Sequence, residues 1–529
     1  MIYALKLLIV VSVVACVAGY MFRSAFRDIF TPAEYKRIWQ TVLLGVLLSY
    51  LCQIPAVFLV AIGVLGLWSA SATGRGPAGK FAIYVLLACT LPPISVTVGG
   101  FGGINYVLQL DHRRILSIVL LGWAAVEIMS TKASPRSSKS LAIDILVVAY
   151  QCLRIGLIVP HATYTTLARA AVEAVLDILL PYFVVTRGVR SMADLRLVCG
   201  HLLMGLAFAA GVAVAEALLQ HNLYSGLQTV YGIHWQQTYA LMRGSLIRVQ
   251  SITPQPIILA FMLLYGLAIA YWLKGQQWRR PSVLALFAAI AVAEVATFSR
   301  GPWIAAVLIV LALVAMRRLP GNAFRFVLVA LLIGGVGLKF AGADQQVLDA
   351  LGALFGSDQS NIASIEYRRQ LLDTSLALIK QSPWLGVPNY AAHMQDLKQG
   401  EGIIDLVNSY LAILLDAGVI GLTIYLLPFL IVLNRLISAI RRPDPAASQT
   451  GNRFAMAFSA LIIGCLFAIF TASTFNIIPV LLTLLLSLPT AWLALPLEER
   501  NAAGARADLE LDIPDDPLRR HAWAGGRLS

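Results

Sequence analysis

Two groups of side chains in this 529-residue chain suit a charged substrate. The first is a set of arginines, Arg243, Arg248, Arg300, Arg368 and Arg369, each lying in a polar break between apolar runs. A guanidinium fork donates two parallel hydrogen bonds, which makes it the preferred partner of phosphate and pyrophosphate. The second is EGIIDLVNSYLAILLDAGVIGL over 401–422, where Glu401, Asp405, Asn408, Ser409 and Tyr410 crowd the start of an apolar run. Asp405 or Asn408 can cap the helix that begins there, and its positive dipole end favours an anion. Capping explains one polar residue and leaves the others, with Asp416 about two turns further in, to point to a site. The bland alternative for each arginine is snorkelling to lipid head groups or pairing with Glu366 or Asp373.

These residues need elements to position them, and composition says which. The chain is 59% hydrophobic and only 13% charged, more apolar surface than a soluble protein of this size can bury. Apolar stretches of roughly 17–25 residues recur, long enough to cross the hydrocarbon core as helices. The expected fold is an all-α polytopic transmembrane bundle of about 12–15 spans, beginning with a retained first span at 3–22. Later runs lie at 39–51, 54–71, 81–98, 114–130, 140–159, 170–186, 197–219, 255–273, 282–299, 302–317, 325–342, 409–435, 455–474 and 477–495. Alternating segments of about ten residues are absent, which excludes a β-barrel.

Charge orients the spans. Lys- and Arg-rich connectors stay in the cytoplasm, and they all fall on one side if 39–71 is a hairpin bent at Gln53-Ile54-Pro55. The N-terminus is then outside and the C-terminus inside. The expected organisation is a bundle over 1–342 with an external loop at 220–254, a large external loop at 343–408, late spans over 409–495 and a cytoplasmic tail at 496–529. The five arginines above break the positive-inside trend, because all lie in external segments. Within the large loop, Ser364–Lys380 has Leu371, Leu372, Ala377 and Leu378 at helical spacing and reads as an amphipathic helix at the interface. Ser382-Pro383 ends it, with Trp384 and Leu385 as an interfacial anchor.

Other classes drop out. The net charge of +13 is largely a topology signal, and no basic soluble surface or aromatic platform for nucleic acid is present. The six cysteines lie singly in apolar runs and imply neither disulfide nor zinc. No cytoplasmic connector has the DxD-type pair of a metal-dependent nucleotide-sugar transferase.

The order SRGPW, then EYRRQLLDTSLALIKQSPWLGV in a large external loop, then IIDLVNSYLAILLDAGVIGL leading into a span, resembles the O-antigen ligase / O-antigen polymerase (Wzy) superfamily of bacterial inner-membrane proteins. The resemblance covers roughly 290–425. It implies a GT-C-like, metal-independent glycosyltransferase with no cofactor, acting at the periplasmic face on an undecaprenyl-pyrophosphate-linked oligosaccharide. Arg300, Arg368 and Arg369 match the motif positions that hold pyrophosphate; Arg243 and Arg248 join them by topology. The ligases' histidine before the late-span asparagine is absent, since Val407 precedes Asn408. That departure favours an exopolysaccharide repeat-unit polymerase, expected to be inverting in the sense that attack opposes the leaving group, with Asp405 as first-choice base and Glu366 as another. Asn408, Tyr410 and His393 are candidate substrate contacts. The resemblance also suggests a flippase and a chain-length co-polymerase as partners. The alternatives are an O-antigen ligase acting on an acceptor such as lipid A-core and, from a different class, a lipid-linked glycan flippase. Against the flippase, no internal repeat is visible, and polar residues gather at one face rather than along a central path.

Overall fold

The computed structural model describes residues 2–99, 106–131, 138–232, 240–243, 245–274, 277, 279–318, 359–398, 404, 406, 408–441, 449–496 and 500. Prolines and short polar side chains punctuate the apolar runs, and helices start where they stand. Helix α1 spans Ile2–Phe22, α2 Pro32–Leu51 and α3 Pro55–Thr73. Thr31 caps α2 in a reciprocal box with Glu34, and Pro32 and Pro55 sit in first turns, where the missing N–H costs nothing. The 39–71 run is therefore two helices, packed on each other.

One expected span is corrected. The run 81–98 holds only the end of α4, Gly76–Ala88. Pro92 and Pro93 bar continuation, and Ser95–Gly99 (β1) instead pairs antiparallel with Tyr106–Asp111 (β2), Ser95 opposite Asp111. The chain then re-enters the bundle through α5 (His112–Leu116), a π-helical turn and α6 (Gly122–Ser130). Helix α7 covers Ser138–Ile158. Helices α8 (Tyr164–Ala174) and α9 (Leu180–Gly188) are joined by a second π-helical turn just before Pro181, a common device for accommodating an interior proline.

Helix α10, Met192–Leu219, is the central post. It packs against α1 and α4 and against two later helices, α12 (Pro256–Lys274) and α13 (Pro281–Ala296), and most of its residues are buried. Between α10 and α12 lie α11 (Leu227–Tyr231) and the paired strands β3 (Met242–Arg243) and β4 (Leu246–Ile247). Helix α14 runs Arg300–Arg318, α15 Gln359–Gln381, α16 Ser409–Arg441, α17 Gln449–Ala468 and α18 Ile478–Ala494.

The chain is thus an all-α polytopic membrane protein. Among the described residues eight helices are long and apolar enough to cross a membrane, and α4, α13 and α18 are shorter apolar helices. The expected span at 325–342 lies outside the described residues, as does the tail beyond Arg500.

Candidate functional site

The loop 240–254 is built around a carboxylate. Glu216, near the end of α10, is fully buried and accepts backbone N–H bonds from Leu223 (3.0 Å), Gln250 (3.0 Å) and Ser251 (2.8 Å). Three amide donors offset part of its desolvation, and no cation pairs with it among the described residues. This fixes the segment that carries Arg248, and Val249 N donates to Ala296 O, tying the same segment to the last turn of α13.

There the arginines converge. Arg243 donates to Phe298 O at 2.8 Å, and Arg248 donates to Thr297 O at 3.2 Å and Ser299 Oγ at 3.3 Å. Phe298 holds a left-handed φ of 50°, the sharp corner that lets α13 end and α14 begin at Arg300. Desolvation lowers the pKa of both Arg243 and Arg248, and like charge lowers them further: Arg300 acts on Arg243, and Arg243 on Arg248. Among the described residues, no carboxylate forms an ion pair with any of the three. Each guanidinium carries five N–H donors, so most remain available to a ligand. The start of α14 adds its own unpaired amides and positive dipole end.

A segment outside the quoted motifs, 469–477, draws this corner to the opening of α16. A Cβ on Gly301 would fall 1.8 Å from Thr471 Oγ1, so only glycine lets α14 approach it. On its other side Ser409 N donates to Ile469 O (3.0 Å) and Ser409 Oγ to Ala472 O (2.6 Å), while Tyr410 Oη donates to Leu466 O (2.5 Å). Asn408 is the helix cap, its Oδ1 accepting from Tyr410 N and Leu411 N. SRG and NSY, more than 100 positions apart, are therefore neighbours through one loop.

The same segment meets a second pair of arginines. Arg113 donates to Asn476 O and pairs with Asp111; Arg114 pairs with Asp177 (2.8 Å) and Glu173 (3.1 Å). Burial alone would raise the Asp111 carboxyl; Arg113, His112 and the Arg114 amide outweigh it and hold it at about 2.

The large loop docks differently. Helix α15 buries Leu371, Ser375 and Leu378 along one side, and the two leucines pack with Met394, Leu411 and Leu415. Ala377 points outward, since the covered stripe follows 371, 375 and 378. The SPWLG turn inserts into a break in α16: Gly418 leaves the helical region (φ 63°, ψ −165°), and Val419 N and Ile420 N donate to Pro383 O (2.9 Å) and Trp384 O (3.2 Å). In return Val387 N donates to Leu415 O at 2.6 Å. Trp384 is 66% exposed. Beside this break lies half-buried Asp416, within electrostatic reach of Arg154 and of Tyr390, whose hydroxyl is pushed up to about 12 by burial first and Asp416 second.

Arg243, Arg248, Arg300, Asn408 and Tyr410 thus gather around 297–301 and 469–472. Arg369 is exposed on α15, and His393 is exposed in a 3₁₀ turn at Tyr390–His393. Glu366 and Arg368 belong to α15, but their side chains lie outside the described residues, as do Asp405 and Glu401 entirely. Sequence reasoning missed Glu216, the Arg113–Asp111 and Arg114–Asp177 pairs, and Glu294, a fully buried carboxylate on α13 with no hydrogen-bond partner for either oxygen. A lone glutamate inside VAVAEALL or AVAEVATF was the available signal, since isolated charges in apolar runs mark organising or functional positions.

Residues 283–426 match the family model of the O-antigen ligase, spanning nearly all of α13, Arg300 and the rest of α14, α15 and the opening of α16, but not Arg243 or Arg248. No curated protein matches the chain.

Proposed function

We infer, from the match of residues 283–426 to the O-antigen ligase family model, that the chain is a polysaccharide polymerase. In this reading it transfers a glycan from undecaprenyl pyrophosphate to a second lipid-linked repeat unit at the periplasmic face of the inner membrane. The observation that supports it most is the convergence of Arg243, Arg248 and Arg300 with no carboxylate partner among the described residues. Uncompensated guanidiniums in a half-buried site suit a pyrophosphate and the charge that grows on it as the glycosidic bond breaks.

In the reaction an acceptor sugar hydroxyl attacks the anomeric carbon on the face opposite the pyrophosphate. The new C–O bond forms as the bond to pyrophosphate breaks, undecaprenyl pyrophosphate leaves, and the hydroxyl proton passes to a carboxylate, Asp405 first. Arg368 and Arg369, carried on α15, close the phosphate site when substrate is bound, and Asn408 and Tyr410 line the acceptor side. No metal takes part, so chelation leaves the rate unchanged. Val407, where the ligases carry histidine, favours polymerase over ligase.

The test is a deletion strain. Loss of long chains with single capped repeats retained supports polymerase; accumulated lipid-linked polymer supports ligase. Purified protein that moves lipid-linked glycan across vesicles without joining units would overturn both.

A further inference from the structure

We propose a second binding site, for a phosphate ester carrying free hydroxyls, in a cavity between α2, α3, α4 and α10 at the opposite end of the bundle from the arginine corner. The inference does not depend on the reaction assigned above. His201 and Glu216 are both on α10, 15 residues apart, which separates the two regions by about 22 Å along the helix.

The cavity is a small cleft open to solvent, with His201, Thr41 and Ser69 lining it, each 1% exposed, and Arg37, Arg75 and Glu34 more exposed beside them. His201 lies edge-on to Phe30, ring centroids 5.0 Å apart. Its Nδ1 is 2.8 Å from Leu197 O, and a carbonyl can only accept, so the proton is assigned to Nδ1. Nε2 is then a bare lone pair, and it has no partner. Thr41 donates its hydroxyl proton to Arg37 O (3.1 Å), which leaves Ser69 to donate to Thr41 at 3.0 Å and keeps the Ser69 lone pairs open. The buried groups therefore only accept. A ligand that satisfies them must donate, and hydroxyls do.

The exposed groups have the opposite character. Arg37 spends one N–H on Ala72 O (2.6 Å) and has no ion pair among the described residues. Arg75 faces Glu34 at 3.5 Å, but one oxygen of that carboxylate already accepts from Thr31 N and Oγ1 in the α2 cap. Two guanidiniums against one engaged carboxylate leave a net positive mouth, suited to phosphate. Acceptors within and cations at the mouth fit a polyol phosphate, whether a lipid head group such as phosphatidylglycerol or a soluble ester such as glycerol 3-phosphate.

The test uses the full chain. Thermal shifts in detergent are read with glycerol 3-phosphate, inorganic phosphate and glycerol, and native mass spectrometry is read from nanodiscs of phosphatidylglycerol and phosphatidylcholine. A soluble source predicts stabilisation by glycerol 3-phosphate well above the other two. A lipid source predicts at least about fivefold preferential retention of phosphatidylglycerol. Either response should fall at least about fivefold in Arg75→Gln and in Ser69→Ala and vanish in His201→Phe. The two milder substitutions keep the test readable if the third fails to fold. Absence of both responses, equal responses to phosphate and glycerol 3-phosphate, or binding indifferent to Arg75→Gln and Ser69→Ala would each overturn the proposal.

Discussion

The pair Arg113–Arg114 and the corner of Arg243, Arg248 and Arg300 meet the 469–477 segment through Arg113 and Gly301, yet they are in opposite electrostatic states. The first pair is neutralised by Asp111, Asp177 and Glu173 and ties a hairpin to the bundle. Among the described residues the second set holds only neutral oxygens, the carbonyls of Thr297 and Phe298 and the hydroxyl of Ser299. An arginine count cannot separate them; the carboxylates around each can. One set is architecture, and the other is left with unspent charge.

The largest expected effect tests the architectural pair. Asp111→Asn leaves Arg113 buried without its partner and should cost about 3–5 kcal/mol of stability, read by thermal unfolding of the purified protein. Because the folded carboxyl lies at about 2 against 3.8 for the free group, its contribution is complete above about pH 4 and is lost as pH falls through 2. The acid limb of the wild-type stability curve should flatten in the variant. A variant of unchanged stability that has lost glycan transfer would break the comparison.

Next come Arg300→Ala and Arg248→Ala. Each should lower transfer by about 100-fold or more, close to 2.7 kcal/mol of transition-state stabilisation, with a far smaller change in unfolding temperature. Full activity in both would assign these guanidiniums to capping α13. A finer cut is Arg248→Lys, which keeps charge but loses the fork; about a tenfold fall is expected in steady-state transfer. Last, Ser409→Ala removes one anchor of the 469–477 segment and should cost about 1 kcal/mol while leaving both arginine sets in place.

Much of the architecture was legible because it rests on local physics. Apolar runs marked the helices, Gln53-Ile54-Pro55 marked the break between α2 and α3, and Asn408 is the cap its position suggested. The run 81–98 misled because its apolar content suits a span while Pro92-Pro93 forbids one. Three of the five arginines gather at one corner, where the turn 297–299 joins α13 to α14. Their charge state was not legible: the carboxylates that quench Arg114 lie about 60 positions away, and that Arg248 has no ion pair among the described residues shows only in three dimensions. The organising role of Glu216 was hidden likewise, since its three amide donors come from two separate loop segments.

The SPWLG turn and the broken helix α16 exchange backbone bonds in both directions, and a Cβ on Gly418 would fall 2.3 Å from Trp384 O. Neither partner can satisfy its own amides alone at that point. In hydrogen–deuterium exchange the amides of Val387, Val419 and Ile420 should therefore open together, with one shared protection factor, rather than fraying separately as ordinary loop and helix positions do. Opening of the loop and melting of the adjoining helix turn are a single event.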